Sequence, residues 1–177
     1  MKTLIEGFKS FLNEQNEQID LYHISSVPNL SVLDPALSVS NRKNFSKREY
    51  QTWDRPRIFY FTKMGQEDTG IGRIKGYPYK ALIDKNELYP ILKDPLRLSY
   101  PENEEEYKKI REEKEGIPPY YRINRFEMVA TLGEKRHGYK GFIYPQSGNT
   151  DNMIVAVWEP LEATRIESPF YKITVGG

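Results

Sequence analysis

Three short stretches hold the side chains able to do chemistry. Leu21-Tyr-His-Ile-Ser25 sets an imidazole, His23, and a hydroxyl, Ser25, into a mostly apolar run. Pro56-Arg-Ile-Phe-Tyr-Phe-Thr62 concentrates aromatic rings behind Arg57. His137-Gly-Tyr-Lys-Gly-Phe-Ile143 leads through a turn to Asn152-Met-Ile-Val-Ala-Val-Trp-Glu-Pro160, with the acids Asp151 and Glu159 near its two ends. Imidazole and hydroxyl groups bond polar ligands, and tyrosine and phenylalanine rings offer apolar area with polar edges that suits stacking. Residue type excludes other chemistries. The chain has no cysteine, which rules out disulfides, thiolate zinc sites and cysteine nucleophiles, and its 2 histidines are too few for a histidine-rich metal cluster.

These stretches need a scaffold, and the periodicity of the chain supplies one. Leu4, Ile5, Phe8, Phe11 and Leu12 recur at helical spacing, which predicts an amphipathic helix over residues 1–19. A strand over residues 20–25 follows, then a turn at Pro28-Asn29 and a short buried segment, Leu30, Val32 and Leu33, ending at Asp34-Pro35. Residues 36–55 read as an irregular surface loop and 57–62 as an aromatic strand. Within it, period-two alternation puts Phe59 and Phe61 on one face and Tyr60 on the other; if the phenylalanines fill the core, Tyr60 faces a cleft. Residues 65–76 form a glycine-rich loop, and 79–83 and 88–91 read as short strands. Two helices are expected over 102–115 and 123–132, the second with Phe126, Val129 and Ala130 on one face. Strands over 138–144 and 153–158 follow, with at most one more from Leu161 onward. The expectation is one α+β domain spanning residues 1–177, with its core over 20–165.

In this order and setting the stretches resemble the ADP-ribosyltransferase superfamily, in its diphtheria-toxin-like and poly(ADP-ribose)-polymerase branch and the small phage and bacterial relatives. Leu21 to Ser25 matches the family's opening Leu-Tyr-His-Gly-Ser/Thr strand, and Ile58-Phe-Tyr-Phe-Thr62 its Gly-Ile-Tyr-Phe-Ala/Thr strand. Gly138-Tyr-Lys-Gly-Phe-Ile143 and Val157-Trp-Glu-Pro160 resemble the closing elements. The resemblance covers roughly residues 20–165 and implies split mixed and antiparallel sheets with flanking helices. It also implies NAD as substrate and a macromolecular acceptor, protein or nucleic acid, in an effector of the phage or toxin type. By the same resemblance His23 bonds a ribose hydroxyl, the Ile24 backbone holds the nicotinamide amide, Ser25 adds a hydroxyl contact, and Tyr60 stacks on the nicotinamide ring. Arg57 and Arg55 are either pyrophosphate contacts or exposed strand-edge charges. The loop 65–76 would border the nicotinamide pocket as a lid.

Two departures matter. The family's glycine after the motif histidine is Ile24 here, which keeps the backbone contact but narrows the approach. The glutamate that opens the family's last strand falls at Asp151 or Asn152. Asn152 accepts a hydrogen bond without bringing charge, and charge-assisted bonds are about twice as strong as neutral ones. Asp151 supplies the carboxylate if the strand starts one residue earlier; Glu159 ranks after it, at the strand's far end, and Gln146 is a weaker acceptor contact. The missing glutamate favours a second reading, a module of the same fold that binds NAD, an ADP-ribose-like nucleotide or a partner protein without transferring. A structural or inhibitory protein acting through the charged helix is the third. Each residue also has a plainer role: His23 as a satisfied buried histidine and Tyr60 as core. The four-part order favours the site.

Composition sets the outer bounds. At 177 residues with 38% hydrophobic and 29% charged, the chain can bury one real core. Its 26 basic and 25 acidic side chains nearly cancel, which disfavours a phosphate-backbone binder. No signal-peptide pattern or bilayer-length apolar run is present, so a cytoplasmic protein with no membrane or metal partner is expected.

Overall fold

Leu21 alternates with polar neighbours in a β-rich run, and the chain answers with its longest central pairing. The computed structural model describes residues 17–38, 56–64, 76–115, 123–146 and 149–167; the helix expected at the N-terminus and most of the glycine-rich loop lie outside them. Strand β1 (Gln18–Ser25) pairs antiparallel along its full length with β4 (Tyr77–Asp84), from Gln18–Asp84 to Ser25–Tyr77. Gln18 to Asp20 are therefore strand, not the tail of a helix. Their backbone is zipped to β4, and Asp20 meets Lys80 at 2.8 Å across the pair.

The other strands are β2 (Val32–Leu33), β3 (Ile58–Phe61), β5 (Leu88–Pro90), β6 (Gly141–Gln146), β7 (Asn149–Val157) and β8 (Leu161–Arg165). They form one 8-stranded sheet in the order β2-β8-β4-β1-β3-β7-β6-β5. Only β5–β6 is parallel; the remaining pairs are antiparallel. The α-helices among the described residues are α1 (Pro35–Ser38), α2 (Glu104–Glu115) and α3 (Arg125–His137). The molecule is a mixed sheet with helices, as the α+β reading expects.

The sheet separates two cores. Leu21, Ile58, Tyr60, Tyr79, Ala81, Val155 and Val157 fill one face. On the other, Tyr89, Phe142 and Ala156 pack against Tyr107 and Ile110 of α2 and Met128, Val129 and Leu132 of α3. Helix α3 begins where Asn124 accepts from the Phe126 and Glu127 amides and ends at Gly138, whose φ of 71° suits glycine. Val129 and Ala130 are buried as expected, but Phe126 is 41% exposed, and Met128 and Leu132 share the inner positions. The short segment after β1 also differs, with Leu33 buried but Val32 40% exposed.

Gly141 is fixed by close approach, because a Cβ there would collide with the Ala156 carbonyl across the β6–β7 pair and meet Leu88 Cδ2 at 2.8 Å. Gly141→Ala is expected to lower stability by about 1–3 kcal/mol through that overpacking. A urea titration with an unchanged midpoint would contradict it.

Candidate functional site

The backbone register builds the site. The Ile166 amide donates to the Pro78 carbonyl at 3.0 Å, so Pro78 directs its backbone carbonyl toward β8. Tyr77 and Tyr79, one step either way, point theirs at β1, toward Ser25 and His23. Ile24, between those two, must then turn its N–H and C=O the opposite way, toward β3. There the ladder stops: β1 and β3 share the register pair Tyr22–Phe61, and none is formed at Ile24–Phe59. The Phe59 carbonyl instead meets the His23 side chain, with Nδ1 at 2.9 Å. A carbonyl only accepts, so Nδ1 carries the proton and the neutral ring presents Nε2 as an acceptor. Burial, outweighing the Phe59 bond, pushes the His23 pKa below its ordinary 6.5 and so favours this neutral form.

A cavity of about 590 Å³ opens at this end of the sheet, lined by His23, Ile24, Ser25, Val27, Asp34 and Arg57 among others. That volume lies within the range of small-molecule sites. Ser25 Oγ accepts from the Val27 amide at 3.1 Å, which turns the chain out of β1 and leaves the hydroxyl proton to donate. The wall beyond is held by Tyr79, whose hydroxyl donates to the Val27 carbonyl at 2.8 Å and accepts from the Leu30 amide at 3.1 Å. On the opposite flank Gly76 presses on the end of β1: a Cβ there would stand 2.6 Å from the Ser25 carbonyl oxygen.

His23, Ile24, Ser25 and Arg57 thus converge on one cavity, and the other candidates do not line it. Tyr60 is 0% exposed within the apolar core, the reverse of the arrangement in which Phe59 and Phe61 fill the core and Tyr60 faces a cleft. Its ring centroid is 5.6 Å from that of His23 at 57°. A third ring between them would need two contact layers, about 7 Å. Burial also raises the Tyr60 phenol's pKa.

Arg57 corrects the expectation of an exposed strand-edge charge. It is 1% exposed and ion-paired with Glu127 of α3, itself 1% exposed, with its guanidinium 5.5 Å from the Phe142 ring centroid. It is neither a strand-edge charge nor an uncommitted cation; Arg55 lies outside the described residues.

Asn152 is 0% exposed, and its side chain holds the end of β3: Oδ1 accepts from the Lys63 amide at 3.1 Å and Nδ2 donates to Gln146 at 3.1 Å. Alternation from Val155, which shares a core with Tyr60, places Asn152 on the opposite face of the sheet. Asp151 is exposed at that same end, away from the cavity. Glu159 lies just past β7 at the cavity end, in the field of Lys140, without lining the cavity. Sequence reasoning passed over Asp34 and Tyr79. In the sequence Asp34-Pro35 marks the end of a short buried segment and Tyr79 a strand position, and neither pattern carries a sign of a wall residue.

No family model, curated protein or solved structure matches the chain. Among the described residues no helix is long and apolar enough to cross a membrane, and no group of three or more His, Cys, Asp or Glu is placed to hold a metal ion.

Two stability predictions follow from this geometry. Glu127→Ala leaves the Arg57 charge buried beside Phe142 and is expected to cost about 3–5 kcal/mol, most of it recovered when Arg57→Met is combined with Glu127→Leu. Equal unfolding midpoints for wild type and Glu127→Ala would show the pair to be solvated. The Tyr60 hydroxyl is buried with no hydrogen-bond partner among the described residues. Tyr60→Phe is therefore expected to raise stability by about 1 kcal/mol, read as a higher melting temperature; a lower one would mean the hydroxyl is bonded in solution.

Proposed function

We propose that the cavity binds the nicotinamide–ribose end of NAD and that the protein is an ADP-ribosyltransferase acting on a macromolecular acceptor, with its mixed sheet a variant of that superfamily's split-sheet fold. The observation that carries this reading is the release of β1 from β3 at Ile24. Ile24 makes no ladder pair with Phe59 and lines the cavity beside an imidazole whose Nε2 is left to accept, and its peptide would supply one N–H and one C=O. A primary carboxamide needs that donor–acceptor pair, and a ribose hydroxyl needs the Nε2 acceptor. The Ser25 hydroxyl offers a further donor. In the reaction, the bond between ribose C1′ and the nicotinamide nitrogen breaks, and nicotinamide leaves with the electron pair. The acceptor's nucleophilic oxygen or nitrogen bonds C1′ and gives up its proton. The protein's share is to hold the dinucleotide rigidly and to face the developing ribose cation with acceptors.

A second reading, binding without transfer, is favoured by Asn152. The side chain at the family's glutamate position is spent on tying the far end of β3 to β6, and it does not line the cavity.

Isothermal titration with NAD, together with nicotinamide release in the presence of cell lysate, tests both readings. Saturable binding with label transfer supports the transferase, and binding without release supports the module. His23→Ala is expected to weaken NAD binding about tenfold, the worth of one hydrogen bond near the top of the usual range. Binding by wild type should also fall in acid, because protonation turns Nε2 from acceptor to donor, and burial places that loss below pH 6.5. Absence of any NAD binding by wild type would refute both readings.

A further inference from the structure

The cavity's electrostatics are decided by one residue outside the recognised motifs. Among the described lining residues Asp34 is the only carboxylate, and the charge of the only cation, Arg57, is cancelled by Glu127. Asp34 is firmly placed. Leu33 before it is buried and paired with Leu161 of β8, Pro35 after it is buried, and its own Oδ1 accepts from the Ala36 amide at 2.9 Å. Its backbone carbonyl takes the Leu37 amide at 3.1 Å. Anchored by Oδ1, the half-buried carboxylate makes no hydrogen bond through Oδ2 among the described residues.

The geometry points to Asp34 as the acid of the site: its carboxylate, supplied from the wall after β1 and not from β7, faces the positive charge of the bound nicotinamide–ribose unit. This rests on the NAD reading above and deepens it. In oxidised NAD the nicotinamide ring nitrogen carries the positive charge. As the bond to C1′ breaks and nicotinamide leaves with the electron pair, that charge passes to the ribose ring. A fixed carboxylate on the ribose side favours the second arrangement over the first and thereby speeds the step. The proton released by the incoming nucleophile then passes to the same carboxylate or to water.

Asp34→Asn isolates the charge, because the amide oxygen can still accept from Ala36 and preserve the local turn. Two readouts are needed in wild type and variant: dissociation constants for NAD and for NADH, whose reduced ring is neutral, and the rate of nicotinamide release from NAD. Wild type is expected to bind NAD about tenfold more tightly than NADH, and Asp34→Asn to lose that preference while melting at the same temperature. Nicotinamide release at saturating NAD should slow about a hundredfold, with KM rising in step with the NAD dissociation constant. If the variant keeps both the preference and the rate, Asp34 is not the acid; loss of rate in Asp151→Asn or Glu159→Gln would then show where the acid lies. Wild type that binds neither nucleotide removes the NAD reading and this assignment together, which separates that failure from failure of Asp34 alone.

Discussion

An imidazole set into an apolar sheet face must find a partner for its N–H, and here the partner comes from the ladder itself. The His23 ring takes the Phe59 carbonyl, which a regular β1–β3 pair would give to a backbone amide of β1. One exchange has two effects. It fixes the tautomer, and it ends the β1–β3 ladder where the cavity begins. On the far side β4 holds β1 in register throughout.

The neighbouring strands explain why the exchange is tolerated. His23 lies between Tyr79 on β4 and Tyr60 on β3, and both rings are buried. Tyr79 spends its hydroxyl on the backbone of the cavity wall, and Tyr60 spends its ring on the core. Beneath them the Arg57–Glu127 pair ties the start of β3 to α3, so β3 is anchored at one end by an ion pair and at the other by Asn152. Between those anchors β3 keeps its pairing with β7 and can afford to loosen from β1.

The strands were legible in the sequence because alternation and β-branched runs report local pleating, and β1, β3, β4 and β7 fall close to where the pattern puts them. The facing of Tyr60 was not, since Phe-Tyr-Phe is apolar on both sides and only the neighbours decide which side is sealed. Both faces turn out to be covered at β3: Tyr60 packs with Leu21 and Val155, and Phe59 against the helix-side core. Asn152 was misjudged for a related reason. A polar residue at a strand position looks the same in sequence whether it greets a ligand or bonds a neighbouring backbone. The cavity's His23, Ile24 and Ser25 were found through a contiguous motif, while Asp34 lines the same space and Tyr79 braces its wall from separate segments that no local pattern links.

The parallel pairing of β5 with β6 has a consequence for how the chain assembles. Parallel neighbours cannot be joined by a tight turn, and here the crossover runs through residues 91–140 and contains both long helices. The β6–β7 hairpin closes over a short stretch, whereas β5 can dock only after that long excursion has been drawn back to the sheet margin. The β2–β8 pair, at the margin beside the cavity, closes over a longer stretch still, so both margins of the sheet wait on distant segments while the β6–β7 hairpin closes locally.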